Sequence, residues 1–226
     1  MSTTAIIVAA GSSRRMGFHK LAADLSGKPV LRWTIEAFDA CDAVDDLLIV
    51  VGEATREAVL EWAEDGLFQK PVTISEGGAE RHFSVHEGLK RLPDTADIVA
   101  VHDGARPLIT SQQIARCIAK ARDCRAVACA RPVTETLKRV DTRGVIAGNL
   151  DREGAWVMET PQVFARTLLC EAYDRVVREG LLVTDEVSAV QHAGVDVYVI
   201  ENPEPNPKIT FPADLAYAER LLKTRL

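Results

Sequence analysis

The sequence predicts an α/β protein built on a mostly parallel sheet covered by helices. Short Val- and Ile-rich runs recur along the 226 residues, segments of helical periodicity separate them, and 47% hydrophobic residues suffice for a sizeable core. Ala5 to Ala10, AIIVAA, is the first apolar run. Pro29 opens a helix as its first residue, with Val30, Leu31, Ile35 and Phe38 on one face. Leu47 to Val51 reads as a second buried strand, followed by a helix around Ala58, Val59 and Trp62 and a short strand near Val72 to Ile74. After GGAER come a helix carrying Val85 and Leu89, then IVAVHD, a strand ending at Asp103. Thr110 and Gln113 stand at capping-box spacing before a helix with Ile114, Cys117, Ile118 and Ala121 on one face.

AVACA is the next strand. TLKRV and VIAGNLD, joined by DTRG, read as a hairpin with few apolar residues to bury, which should project from the sheet and seek a partner. WVMET is a strand, Leu168 to Val177 a helix ended by Gly180, and TDEVSAVQHAG a short helix with an acidic first turn. VDVYVI closes the strands, NPEPNP is a stiff loop, and Pro212 begins the last helix. With no repeat and no linker, the expectation is a single domain over 1–226 with an arm at about 136–151.

Against 33 acidic residues stand 27 basic ones, a net charge of -6, the opposite of a general nucleic-acid binder. Any bound anion must be held by local cations. The five cysteines, Cys41, Cys117, Cys124, Cys129 and Cys170, form no CxxC pair and no Cys/His finger spacing, and read as reduced, mostly buried thiols. The N-terminus lacks the charged start and long apolar run of a signal peptide, and no stretch approaches a membrane span. The expectation is a soluble cytoplasmic protein with neither nucleic acid nor membrane as a partner.

The first strand runs into GSSRRMGFHK, a small-residue turn at the carboxyl end of a parallel strand, where backbone N–H groups can hold a phosphate. Neither a dinucleotide G-x-G-x-x-G nor a Walker spacing is present. Arg14, Arg15 and Lys20 concentrate positive charge in the same loop. Asp103, at the end of the central strand in VHDGARP, would face the ligand crevice, or else cap the following turn. Gly77 and Gly78 would let the backbone approach a ligand, with Ser84 as a helix N-cap in the plainer reading. His82 and His86 lie one helical turn apart without a third metal ligand in view, and the cluster Asp42, Asp45 and Asp46 reads as a solvated face.

VAAGSSRRMGFHK resembles the nucleotide loop of sugar-nucleotide pyrophosphorylases and related nucleotidyltransferases. GGAERHFSV, VHDGARP, PVTETLKR, DREGAWVMETPQ, TDEVSAV and NPKITFPADL, in this order from Ile6 to Leu215, narrow the resemblance to the 2-C-methyl-D-erythritol 4-phosphate cytidylyltransferase family of the non-mevalonate isoprenoid pathway. Departures are Ala79, where GGxER usually has Asp, Gly104, where HDxARP usually has Ala, and Glu135, where the hairpin usually has Asp. The chain stops after its last helix, so it resembles the monofunctional enzyme rather than a fusion with the downstream cyclase.

The resemblance implies a Rossmann-like sheet of the nucleotide-diphospho-sugar transferase type and attack by a phosphate monoester on the α-phosphorus of CTP. A phosphate whose second pKa is about 6 is already anionic at neutral pH, so no general base is needed and cations with a divalent metal, Mg²⁺ or another, meet the electrostatic difficulty. It further implies that Arg15 and Lys20 stabilise the transition state, that Ala9, Ala10, Gly11, Ser12, Gly77, Gly78, Arg81 and Ser84 bind CTP, and that Lys208 and Arg152 hold the acceptor phosphate. Asp103, Arg106, Thr136 and Thr184 would meet methylerythritol 4-phosphate, Asp103 also supporting the metal directly or through water. A homodimer in which each arm serves the neighbouring site is implied as well. Ribitol 5-phosphate cytidylyltransferase, and a catalytically silent nucleotide-sensing subunit, are the alternatives; HDGARP and NPKITFP favour methylerythritol phosphate, and intact Arg15, Lys20, Arg152 and Lys208 favour activity.

Overall fold

The computed structural model describes residues 1–11 and 18–225. Chain order begins with β1 (Ser2–Ala9), a small hairpin of β2 (Asp24–Leu25) and β3 (Lys28–Pro29), α1 (Val30–Asp39), β4 (Asp46–Val51), α2 (Glu53–Glu64), β5 (Val72–Glu76), α3 (Arg81–Leu89) and β6 (Ala96–Asp103). It continues with α4 (Ser111–Cys124), β7 (Ala126–Pro132), β8 (Leu137–Val140), β9 (Ile146–Leu150), β10 (Trp156–Ala165), α5 (Arg166–Glu179), α6 (Glu186–His192), β11 (Tyr198–Glu201) and α7 (Pro212–Lys223).

Seven strands form the main sheet in the order β11-β7-β10-β6-β1-β4-β5. The pairs β1/β4, β1/β6, β4/β5 and β7/β11 are parallel, and β10 is antiparallel to both its neighbours. That exception follows from the connection: the chain leaves β7 into the β8–β9 hairpin and returns without a crossover helix, so it re-enters antiparallel. The central parallel strands β1, β4 and β6 are buried on both faces, which is why they read as continuous apolar runs. Along β4, Leu47, Ile49 and Val51 join Val30, Leu31, Ile35 and Phe38 of α1 and Ile114, Cys117 and Ile118 of α4 on one side. Leu48 and Val50 join Val85 and Leu89 of α3 and Leu169, Tyr173 and Val176 of α5 on the other. Each fully buried Val, Leu or Ile contributes about 1.5–3 kcal/mol.

The cap at Thr110 forms as the spacing predicts, its side chain accepting from Gln113 N at 3.2 Å. Several local features differ from expectation. Pro29 is the N-cap of α1 rather than its first residue. The β2–β3 hairpin turns on Ser26 (φ 54°) and Gly27 (φ 86°), a tight turn that two-residue strands do not announce by alternation. β10 continues past WVMET to Ala165, with a register shift between Met158 and Gln162 that carries the strand past Pro161. The arm exists as its own two-stranded sheet, β8 with β9, and leaves Val140, Val145, Ile146 and Leu150 exposed. All five cysteines are free, with Cys41, Cys117 and Cys129 buried. Among the described residues no helix is long and apolar enough to cross a membrane.

Candidate active site

From β1 the chain steps outward through β4 to β5 and then returns to the opposite flank of β1 with β6. The carboxyl ends of β1 and β6 therefore border a topological switch point, where parallel sheets open a crevice. Register places Asp103 beside Val8, and Gly104 N donates to Val8 O at 3.0 Å. A cleft of about 400 Å³ opens there, lined by Ala10, Gly11, Lys20, Gly78, Arg81, Ser84, Asp103 and Lys208. Ala9, the last residue of β1, lies just behind and is buried, its carbonyl accepting from Thr55 Oγ1 at 3.1 Å.

Asp103 is the electrostatic centre. Arg81 Nε donates to its Oδ1 at 3.0 Å, Lys208 Nζ to its Oδ2 at 2.8 Å, and Arg106 Nε lies 3.5 Å from Oδ2. Burial pushes this carboxyl up, but Arg81, Lys208 and Arg106 outweigh it and hold it well below the usual carboxylate range. It is an anion that fixes cations, rather than a turn cap or a proton acceptor. Arg81 is in turn gripped by Glu186, Nη1 to Oε1 at 2.7 Å and Nη2 to Oε2 at 3.0 Å, and Tyr173 Oη donates to Oε1 at 2.9 Å. The turn after β6 is braced by His102, whose Nε2 lies 3.1 Å from Arg106 O and whose Nδ1 lies 2.9 Å from Thr160 Oγ1. Arg106 O can only accept, so the neutral His102 ring carries its proton on Nε2 and Nδ1 accepts from Thr160 Oγ1, which itself accepts from Asp103 N at 3.1 Å. Burial pushes the His102 pKa down to about 3, so the ring is neutral at physiological pH.

Gly78 lines the cleft, whereas Gly77, just before it, does not; Gly77 continues β5 with its N donating to Val51 O at 2.8 Å. A Cβ there would stand 2.3 Å from Ala10 Cβ and 2.8 Å from Ser84 Oγ, so only glycine permits this approach to the β1 loop. Ser84 sits inside α3, whose N-cap is Glu80, so it is not the cap expected from sequence. Its hydroxyl instead closes the glycine loop, accepting from Gly78 N at 3.1 Å and donating to Glu80 O at 3.0 Å.

The remaining expected residues divide. Arg106 is 9% exposed and donates to Asn206 O at 2.9 Å and Met158 O at 3.3 Å, tying the loop that carries Lys208 to β10 rather than lining the cleft. Arg106 and Lys208 also border an adjoining cavity of about 560 Å³ with Glu135 and Glu159. Thr136, Arg152 and Thr184 are exposed and line neither cavity; Arg152 Nη1 donates to Thr134 O at 2.7 Å at the base of the arm. Ser12 and Arg15, with Arg14, lie outside the described residues. Glu186, Tyr173, His102 and Thr160 were not singled out from the sequence, and only the acidic first turn expected of α6 pointed toward Glu186.

A sequence model described as 2-C-methyl-D-erythritol 4-phosphate cytidylyltransferase matches residues 3–224. The chain belongs to this cytidylyltransferase family. It is 38% identical to the 2-C-methyl-D-erythritol 4-phosphate cytidylyltransferase of Caldanaerobacter subterraneus subsp. tengcongensis, over 99% of this chain and 100% of that one. The cytidylyltransferase of Prochlorococcus marinus is 40% identical, over 97% and 98% of the two chains. Among solved structures, the 4-diphosphocytidyl-2C-methyl-D-erythritol synthase of Anaerococcus prevotii superposes with a TM-score of 0.87 at 25% identity, covering 98% of each chain. As a cytidylyltransferase family, it accounts for a cleft with a glycine loop on one wall and a triply paired carboxylate on the other.

Proposed function

We propose that the chain transfers CMP from CTP to 2-C-methyl-D-erythritol 4-phosphate, giving 4-diphosphocytidyl-2-C-methyl-D-erythritol and pyrophosphate. The observation that carries this reading is one crevice lined by Ala10, Gly11, Lys20 and the Asp103–Lys208 pair, in a chain of this family. Family membership and the match over residues 3–224 support the substrate pair.

In this reading the backbone of Ala9, Ala10, Gly11 and Ser12 cradles the CTP phosphates, and the Gly77–Gly78 loop closed by Ser84 receives cytosine. Base discrimination falls to backbone groups, because cytosine and uracil exchange donor and acceptor at the pyrimidine 4-position. Arg81 spends its donors on Glu186 and Asp103, so its part in the site is to hold Asp103 rather than to bind the nucleotide directly. The acceptor phosphate is already an anion and attacks in line; Arg15 and Lys20 stabilise charge that grows around the α-phosphorus. An ammonium has three donors, so Lys208 can hold the acceptor phosphate while keeping its bond to Asp103. Thr184 and, from a partner subunit's arm, Thr136 and Arg152 complete the acceptor site in a homodimer. Arg106 contributes by fixing the Lys208 loop.

A divalent cation, Mg²⁺ or another, is part of the reading. Among the described residues no group of three His, Cys, Asp or Glu side chains can hold a metal, and both oxygens of Asp103 already face cations. The protein residues fit such an ion only through water; it would arrive on the nucleotide phosphates and neutralise part of their charge. The unpaired cysteines support a reducing, cytoplasmic setting. The test is pyrophosphate release by purified protein with CTP or UTP, and with methylerythritol 4-phosphate or ribitol 5-phosphate. CTP with methylerythritol 4-phosphate should be fastest and should stop on chelation. Faster turnover of ribitol 5-phosphate would sink the acceptor assignment, and faster turnover of UTP the base-loop assignment.

A further inference from the structure

Four side chains of alternating charge run in line from the core to the cleft: Glu186, Arg81, Asp103 and Lys208. Glu186 is fully buried, while the Lys208 side chain is 35% exposed. Every link is short: 2.7 and 3.0 Å for the two-pronged contact of Glu186 with Arg81, 3.0 Å from Arg81 to Asp103 and 2.8 Å from Asp103 to Lys208. The links also have one geometry each. Both terminal nitrogens of Arg81 are taken by Glu186, which leaves Nε as its donor to Asp103 Oδ1 and presents Oδ2 to Lys208.

Glu186 is itself anchored from two sides. Tyr173, fully buried in α5, donates to Oε1 at 2.9 Å, and the start of α6 is pinned by Asp185, whose carboxylate accepts from Ser188 N at 2.9 Å and from Gln162 Nε2 at 3.1 Å. A buried carboxylate is costly unless its partners satisfy it, and here three donors do. The core therefore holds a fixed negative point, from which the position of an ammonium in the cleft is built outward.

We propose that Glu186 is a positioning residue for the acceptor phosphate, acting through Arg81 and Asp103 to place Lys208 Nζ. The proposal rests on the function proposed above and concerns the acceptor half of the site. The glycine loop that would receive the base is closed by Ser84 and Gly78, not by Glu186, so the two halves separate in kinetics.

The test uses Glu186→Gln in the full-length enzyme. The amide keeps the side-chain volume but turns an N–H₂ toward the Arg81 guanidinium, which loses one of its two bonds and its counter-charge. The expected result is a rise in acceptor KM of about tenfold or more with CTP KM within about twofold of wild type, since only one substrate's anchor is misplaced. Glu186→Asp restores the charge one methylene short and should recover part of the acceptor KM. A merely structural role would lower the active fraction, and so kcat, without moving one KM selectively. If Glu186→Gln does not fold, Tyr173→Phe carries the test, because it removes one bond to Glu186 and leaves the Arg81 pair. A selective rise in acceptor KM supports the proposal, and unchanged or equally changed KM values overturn it. A wild-type enzyme that fails to use the acceptor at all would overturn the functional reading first, and this proposal with it.

Discussion

Replacing Gly77 with alanine probes the close contact between the end of β5 and the β1 loop behind the cleft. The added methyl would stand 2.3 Å from Ala10 Cβ and 2.8 Å from Ser84 Oγ, where ordinary contact needs 3.4 to 4 Å. Ala10 Cβ is one bond from the backbone and cannot rotate away, so more than 1 Å must come from moving the β1 loop or the end of β5. The backbone of Gly52 also lies close to the same loop, since a Cβ added there would stand 2.9 Å from Ala10 O. Overpacking of this kind costs about 1–3 kcal/mol, which is roughly 5- to 150-fold in an equilibrium constant. Initial rates against CTP, paired with urea denaturation, divide that cost between nucleotide binding and fold stability. The two losses together should reach the stated range, and Ala10→Gly in the same chain should return part of it by removing the opposing methyl. Unchanged CTP KM together with unchanged stability would refute the close approach.

Other expectations follow from the same geometry. Lys20→Ala should lower kcat by on the order of 10²-fold with the fold intact, as read by steady-state rates and a thermal melt, because it removes a cation lining the cleft. Lys208→Ala should instead raise the acceptor KM most, while the CTP KM stays near wild type. His102, fully buried with its pKa lowered from 6.5 to about 3, is protonated in the unfolded chain first; its stabilisation is complete above pH 6.5 and drains as pH falls toward 3. Between pH 7 and 5 this amounts to roughly 2 kcal/mol, and the unfolding free energies of wild type and His102→Gln from urea titrations should converge by about that much. Mixing Arg15→Ala with Arg152→Ala protomers should restore activity if arms are exchanged, because one site of the heterodimer then carries neither lesion. No recovery in a heterodimer verified by tagged co-purification would return Arg152 to its own subunit.

The central parallel strands were legible because β1, β4 and β6 are buried on both faces, so Leu47 to Val51 announce themselves without any partner in view. Asp103 was legible for a related reason, standing where an apolar strand ends. The grip on Arg81 was not. Glu186 lies 105 residues away along the chain and reads as a helix-start carboxylate beside solvent, whereas the fold buries it completely. Arg106 shows a role that the sequence did not suggest, since its Nη1 and Nη2 serve the carbonyls of Asn206 and Met158 while the residue borders the cavity beside Lys208. Ser84 fits a cap by residue type, but α3 begins three residues earlier at Arg81 and the hydroxyl turns back to the glycine loop. The small hairpin at Ser26–Gly27 was missed because its strands are too short for any alternation to register.

Joining of the acceptor phosphate to the α-phosphorus of CTP is visible by phosphorus NMR of a reaction containing CTP, methylerythritol 4-phosphate and Mg²⁺, because transfer converts the acceptor's monoester signal into one half of a coupled pyrophosphate pair. Two mutually coupled doublets of a diphosphodiester should grow in step with free pyrophosphate, with both absent when either substrate is omitted. CMP and pyrophosphate accumulating while the monoester signal stays intact would show hydrolysis instead of transfer and contradict the proposed function.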